Sequence, residues 1–226
     1  MNEPYHTVFR VLHAGGGWLA FAAGAFALGT VKGGTRHKYA GRCFVVFLGS
    51  GVVAGILLAT IRPDFVRDLF LLGLITLFFL GTGYLAPRIG RGSRSLYWWD
   101  RALTLVGLLA SVVLMGCGAQ RITVDEPIQE GVVFGSLGLW VAIFHGRWRG
   151  PADPSRWRLE HLTSLLAAYT ITWSFIIGLY IQALPMTARV LIPATGGILG
   201  IWWARRRFAE PAARPHPGPG AVAGAT

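Results

Sequence analysis

The chain has 226 residues, 53% of them hydrophobic and only 14% charged, yet it carries a net charge of +11. A soluble domain has roughly 25% charged residues, so this composition, with a mean hydropathy of +0.51, excludes an ordinary soluble domain. It also argues against a nucleic-acid binder, because the basic residues flank apolar stretches instead of lining one exposed face, and so suit the anionic headgroups at the cytoplasmic face of a lipid bilayer.

A membrane-spanning helix needs about 20 mostly apolar residues, and seven segments qualify. The first, Val8 to Val31, carries His13 beside Gly15-Gly16-Gly17 and is followed by a basic cluster of Lys32, Arg36, Lys38 and Arg42 that contains His37. Ala25-Phe26-Ala27 resembles a signal-peptide cleavage site. The charge order, with only Arg10 before the run and a cluster after it, instead fits a retained helix whose N-terminus is outside. The second segment, Gly41 to Ile61, ends at an acidic turn with Asp64 and Asp68. The third, Leu69 to Pro87, holds Tyr84 and leads into Arg88, Arg91, Arg94 and Arg101. Asp100 stands just ahead of the fourth, Ala102 to Gly118, which gives way to Gln120, Asp125, Glu126 and Glu130.

The fifth segment, Gly131 to His145, is short and returns to basic residues at Arg147, Arg149, Arg156 and Arg158. Glu160 and His161 open the sixth, Leu159 to Ala183, which also contains Tyr169. A turn at Pro185 separates it from the seventh, Ala188 to Ala204, which closes on Arg205, Arg206, Arg207 and Arg214. By the positive-inside rule the basic clusters lie in the cytoplasm. The fold class expected is therefore all-α: a polytopic integral membrane protein with seven transmembrane helices, N-terminus outside and C-terminus cytoplasmic, multi-pass in a bacterial cytoplasmic membrane. Residues 1–207 form one transmembrane domain. The Pro, Gly and Ala-rich remainder, 208–226, has no pattern that could bury surface and is expected to be a disordered cytoplasmic tail. Trp98, Trp99, Trp148, Trp157, Trp202 and Trp203 fall at the predicted cytoplasmic ends, where amphipathic rings prefer to sit.

Small residues recur at helical spacing: Gly16, Ala20 and Gly24, then Gly51 and Gly55, Gly131 and Gly135, Gly196 and Gly200. Close helix packing accounts for such stripes. The other reading is a flat surface for a cofactor, with the triplet after His13 its best place. Cys43 and Cys117 belong to opposite membrane faces, which opposes a disulfide between them, and neither has the neighbours of a cysteine-based metal or redox motif.

Ionisable groups at membrane depth are costly, so each is a functional candidate. His37, His145 and His161 share the cytoplasmic side with Lys32 and Asp100, whereas His13 lies toward the outside. Tyr84, Gln120 and Tyr169 are weaker candidates. Three imidazoles and a carboxylate at one depth suit a metal site, with His37, His145, His161 and Asp100 as ligands or orienting group, or a heme ligand set drawn from His13, His37 and His161. The cofactor expected on that reading is heme b or a divalent metal. The bland reading is equally physical: interfacial histidines cap helices and touch headgroups.

The run from Lys32 to Arg42, a Lys-Gly-x-x-x-His-x-x-x-Gly motif following a first-helix His, resembles the opening of a widespread group of bacterial membrane proteins of unknown function. The resemblance continues in outline through Asp100, through His161 with Tyr169 eight residues on, and to Leu184-Pro185 and the closing Trp-Ala-Arg-Arg-Arg. Such relatives usually have Arg where this chain has Lys38 and often Met where it has Leu165. The resemblance implies a fold and a residue set, but no reaction. Three classes stay open: a redox or metal-binding membrane protein, a transporter or proton-coupled carrier, and an accessory subunit without chemistry. Besides lipid, the partners considered are another membrane protein or a further copy of the chain. No P-loop, Rossmann fingerprint, Gly-x-Ser-x-Gly elbow or His-Glu-x-x-His is present, and no acid lies deep in a span, which opposes a conventional proton-coupled carrier.

Overall fold

The computed structural model describes residues 4–61, 67–93, 96–122, 130–147 and 154–208. Their secondary structure is all helical: α1 Pro4–Gly29, α2 Thr35–Ile61, α3 Arg67–Ile89, α4 Leu96–Ala119, α5 Glu130–Arg147, α6 Pro154–Tyr180 and α7 Met186–Phe208. Asp64, Arg94, Asp125, Glu126, Trp148, Arg149 and the tail from 209 to 226 lie outside the described residues, as do the side chains of Glu130, His145, Arg147 and Arg156.

Helix boundaries depart from the apolar segments at the basic ends. α2 begins at Thr35, α4 at Leu96 and α6 at Pro154, several residues ahead of the first apolar run in each. Lys and Arg are good helix formers, and beyond the hydrocarbon their charges cost nothing, so the helices continue through the clusters. α1 stops early at Gly29, and Gly33 in the following turn adopts φ 81°, the left-handed conformation that glycine takes without steric penalty.

Five helices, α1, α2, α3, α4 and α6, are long and apolar enough to cross a membrane, and Gly131–Ile143 of α5 is a shorter apolar helix. α7 carries Arg189 and Pro193 within it and Arg205, Arg206 and Arg207 in its last turn. The residue distribution agrees with a helical membrane protein. Val11, Leu12, Leu19, Phe26, Leu105 and Leu109 are exposed, while Thr76, Thr82, Ser111, Ser164 and Thr170 are buried. In lipid an exposed apolar side chain is at no disadvantage, and a buried hydroxyl can return its hydrogen to the helix. Thr76, Thr104 and Ser111 do so, bonding the carbonyls of Leu72, Asp100 and Gly107 at 2.8, 2.7 and 2.6 Å.

The helices run up and down, and glycines set several of the crossings. A Cβ on Gly16 would lie 2.8 Å from the Phe47 carbonyl oxygen and 2.9 Å from Gly51 Cα, so α1 and α2 meet backbone to backbone. A Cβ on Gly118 would come within 2.7 Å of the Val132 nitrogen, and one on Gly135 within 2.8 Å of the Met115 nitrogen, which joins α4 to α5 in the same way. The packing reading of the glycine stripes is thus observed at Gly16, Gly24, Gly51, Gly55, Gly131, Gly135 and Gly196. It does not extend to Gly15, Gly17 or Gly200, where a Cβ would meet nothing within 4 Å. α3 is the central helix, packed against α2, α4 and α6, and its Ile75, Phe78 and Phe79 are fully buried.

A candidate site at the basic end of the bundle

The end of α1, the start of α2, the end of α3 and the start of α6 converge at one end of the bundle. The last carbonyls of a helix have no partner within it, and two such oxygens on α1 are met by the following loop and helix. Lys32 Nζ donates to the Ala27 and Leu28 carbonyls at 3.1 and 2.8 Å, a cation placed at the negative end of the helix dipole. Partial burial lowers the Lys32 pKa from its ordinary value. His37 Nδ1 lies 3.1 Å from the same Ala27 oxygen. The spacing of the Lys-Gly-x-x-x-His motif is therefore the spacing that returns two side chains to the end of α1.

Across the groove, His161 Nδ1 lies 2.7 Å from the Gly83 carbonyl oxygen of α3. That carbonyl has no free hydrogen to offer, so the imidazole Nδ1 carries the proton and donates it. The same argument holds for His37. In the neutral ring each then keeps its lone pair on Nε2. The ring centroids of His37 and His161 are 6.4 Å apart with planes at 74°. Both rings are half-buried.

Gly83 makes the approach of α6 feasible, since a Cβ there would lie 2.8 Å from Leu165 Cδ2 and 3.1 Å from Ser164 Cβ. One residue earlier, the buried Thr82 hydroxyl meets that of Ser164 at 3.2 Å and fixes the register of α3 against α6. Sequence reasoning missed Thr82, Gly83 and Ser164. A hydroxyl or glycine inside an apolar run has no signature until its partner helix is known.

Farther into the bundle the same faces carry aromatic rings. His37 and Phe44 are seven residues apart, His161 and Tyr169 eight, so each pair shares a helix face. The Tyr169 ring stacks on Phe21 at 5.6 Å and 7°, and packs against Phe44 at 6.1 Å. Gly24 leaves room for it: a Cβ there would be 2.6 Å from the Tyr169 ring.

The other candidates are placed elsewhere. Tyr84 lies next to Gly83, but its hydroxyl accepts from Arg88 Nη2 at 2.8 Å, and the Arg88 guanidinium sits 3.9 Å over its ring. Asp100 is buried on α4. His13 is at the opposite end of the bundle, its Nδ1 2.9 Å from the Gly51 carbonyl oxygen. Among the described residues no three His, Cys, Asp or Glu side chains gather as metal ligands. Asp100 therefore does not complete a metal-ligand group with His37 and His161, and His145, the fourth member of the expected set, has its side chain outside the described residues. Asp100 marks the physical reason for the difference: sharing a membrane depth does not by itself bring residues onto facing sides of neighbouring helices. A comparison with protein-family models, with curated proteins and with solved structures finds no match.

Proposed function

We propose that this chain is a seven-span redox protein of a bacterial cytoplasmic membrane in which His37 and His161 hold one heme iron between them, on the cytoplasmic side. The observation that carries the reading is the pair itself: two imidazoles, each anchored through Nδ1 to a carbonyl, with centroids 6.4 Å apart. For metal–nitrogen bonds of about 2.0 Å, two rings on opposite sides of one ion have centroids about 6.3 Å apart, and two rings on a tetrahedral ion about 5 Å. The observed 6.4 Å is long enough for both rings to hold one metal ion, and His37 and His161 would be the residues to hold a heme iron. A pair of ligands suffices for a heme iron, whereas a structural zinc site needs four.

Carbonyl-anchored Nδ1 atoms are also the usual means of fixing which nitrogen faces a metal. Lys32 supplies positive charge for the macrocycle's carboxylates, and Phe21, Phe44 and Tyr169 supply an apolar wall. A bound heme would furnish one-electron transfer. The chain's own part is to orient two lone pairs, exclude water and set the local charge. The four basic clusters support the orientation with the N-terminus outside and the C-terminus in the cytoplasm, which C-terminal reporter fusions test: a cytoplasmic reporter should be active and a periplasmic one silent.

The experiment for the site is electron paramagnetic resonance of the oxidised, detergent-purified protein. Imidazole planes near 74° predict a highly anisotropic low-spin ferric signal. A high-spin signal would contradict ligation by both rings. The second reading, an accessory subunit, is favoured by the capping of α1 by Lys32 and His37, which by itself requires no cofactor.

A further inference from the structure

A cavity of about 430 Å³ opens at the end of the bundle opposite the histidine pair, between α1, α2, α3 and α6. Its size falls in the range of small-ligand pockets, about 300–1,000 Å³. The inner walls are apolar, with Val52, Ile56, Leu72, Ile171 and Phe175 among them. Thr76 and Thr172 also line it, but their hydroxyls are spent on the carbonyls of Leu72 and Ala168 at 2.8 and 3.0 Å.

All the remaining polarity belongs to residues near the chain's first turns and the end of α6: His6, Arg10, His13, Trp18 and Tyr180. Trp18 Nε1 donates to the Tyr180 hydroxyl at 3.2 Å, so that hydroxyl keeps its own hydrogen for another acceptor. The rings of Trp18 and Tyr180 are 5.1 Å apart and form one side of the mouth. Gly55 makes the space that the His13 ring occupies, since a Cβ there would lie 2.7 Å from His13 Nδ1. Among the described residues no Asp or Glu lines the cavity. Asp68, at the same end of the bundle, is already engaged by Arg121 and Arg67.

We propose that this cavity binds a single-chain amphiphile with an anionic head, the head held by Arg10 with His6 and the Tyr180 hydroxyl, the tail among the apolar walls. Among the described residues the mouth offers donors and positive charge and no competing carboxylate, and a charge-assisted hydrogen bond to an anionic oxygen is about twice as strong as a neutral one. The depth of the cavity is apolar and contains no free hydroxyl to satisfy a polar tail. A fatty-acid carboxylate and a single-chain phosphate lipid share this chemistry.

The test is equilibrium binding of tritiated palmitate to the full chain in nanodiscs of neutral lipid, with competition by unlabelled compounds. Saturable binding of one palmitate per chain is expected. Lysophosphatidic acid should compete as a second anionic head, and its strength relative to palmitate identifies the natural source. Palmitate methyl ester and a neutral quinone should compete at least tenfold more weakly. Arg10→Gln, an exposed substitution, should weaken binding about tenfold. Gly17→Leu, at a wall position where an added Cβ meets nothing within 4 Å, should abolish it while leaving the melting temperature unchanged. His37→Ala and His161→Ala should bind palmitate as the parent does, so this site and the histidine pair fail or succeed separately. Non-saturable uptake, equal competition by the methyl ester or the quinone, or unchanged binding in both Arg10→Gln and Gly17→Leu would overturn the proposal.

Discussion

The glycine triplet after His13 offers a test in which neighbouring, chemically identical substitutions have opposite expected signs. At Gly16 a methyl group would sit 2.8 Å from the Phe47 oxygen and 2.9 Å from Gly51 Cα. Both are backbone atoms, so no side chain can rotate away and α1 must shift off α2. Overpacking of this kind costs about 1–3 kcal/mol, and the gain in helix propensity from Gly to Ala returns up to about 1 kcal/mol. With the full propensity gain subtracted, Gly16→Ala should destabilise by up to about 2 kcal/mol, which for a chain of this size lowers the melting temperature by up to roughly 8 °C. At Gly15 and Gly17 a Cβ meets nothing within 4 Å, so Ala there keeps only the propensity term and should be neutral or raise the melting temperature. Thermal unfolding of the three variants in one detergent, followed by size-exclusion of the folded fraction, reads the difference. Gly16→Ala melting at or above Gly17→Ala would refute the backbone contact between α1 and α2.

Ser164→Val removes one member of the buried Thr82–Ser164 hydroxyl pair and should cost about 1 kcal/mol; a variant as stable as the parent would show that the pair does not hold α3 to α6. Lys32 has a lowered pKa because burial disfavours its charged form. Its neutral amine therefore appears at lower pH than that of a solvated lysine, and acylation followed by mass spectrometry across pH 7–11 should show Lys32 reacting with a correspondingly lower midpoint. A midpoint at or above that of a free lysine side chain would place Lys32 in water and away from the end of α1. Arg121→Ala removes the ion pair with Asp68, whose members are 53% and 31% exposed. Exposed pairs contribute at most about 1 kcal/mol, so the melting temperature should fall by no more than about 4 °C, and a larger fall would mark this contact as structural.

The helices could be read from the sequence because their signal is local. An apolar run of spanning length bounded by basic residues states its own fold class, and α1 to α4 and α6 appear where such runs stand. α7 is a helix where one was expected, yet Arg189 and Pro193 leave it below the apolarity of the other spans. Boundaries were less legible, because Arg36, Lys38 and Arg158 are as compatible with a helix as with a loop. Of the candidate site, His37 and His161 are brought together as their shared depth suggested, and Lys32 joins them through the end of α1. Their partners on the far side of the groove were hidden. Gly83 acts through its carbonyl and its lack of a Cβ, and neither property has a sequence pattern. Asp100 is buried but completes no metal-ligand group with the two histidines among the described residues, and depth alone could not have told which side of α4 it occupies. His6 and Arg10 near the N-terminus had no visible role until the cavity showed which helices they face.

Whether His37 and His161 hold one heme iron is decided by the visible absorption spectrum and iron content of the purified protein, beside His37→Ala and His161→Ala. Ligation by the pair requires a Soret band, about one iron per chain, and the loss of both in each variant. A colourless, iron-free parent protein from heme-replete cells, or heme that survives both substitutions, would contradict it.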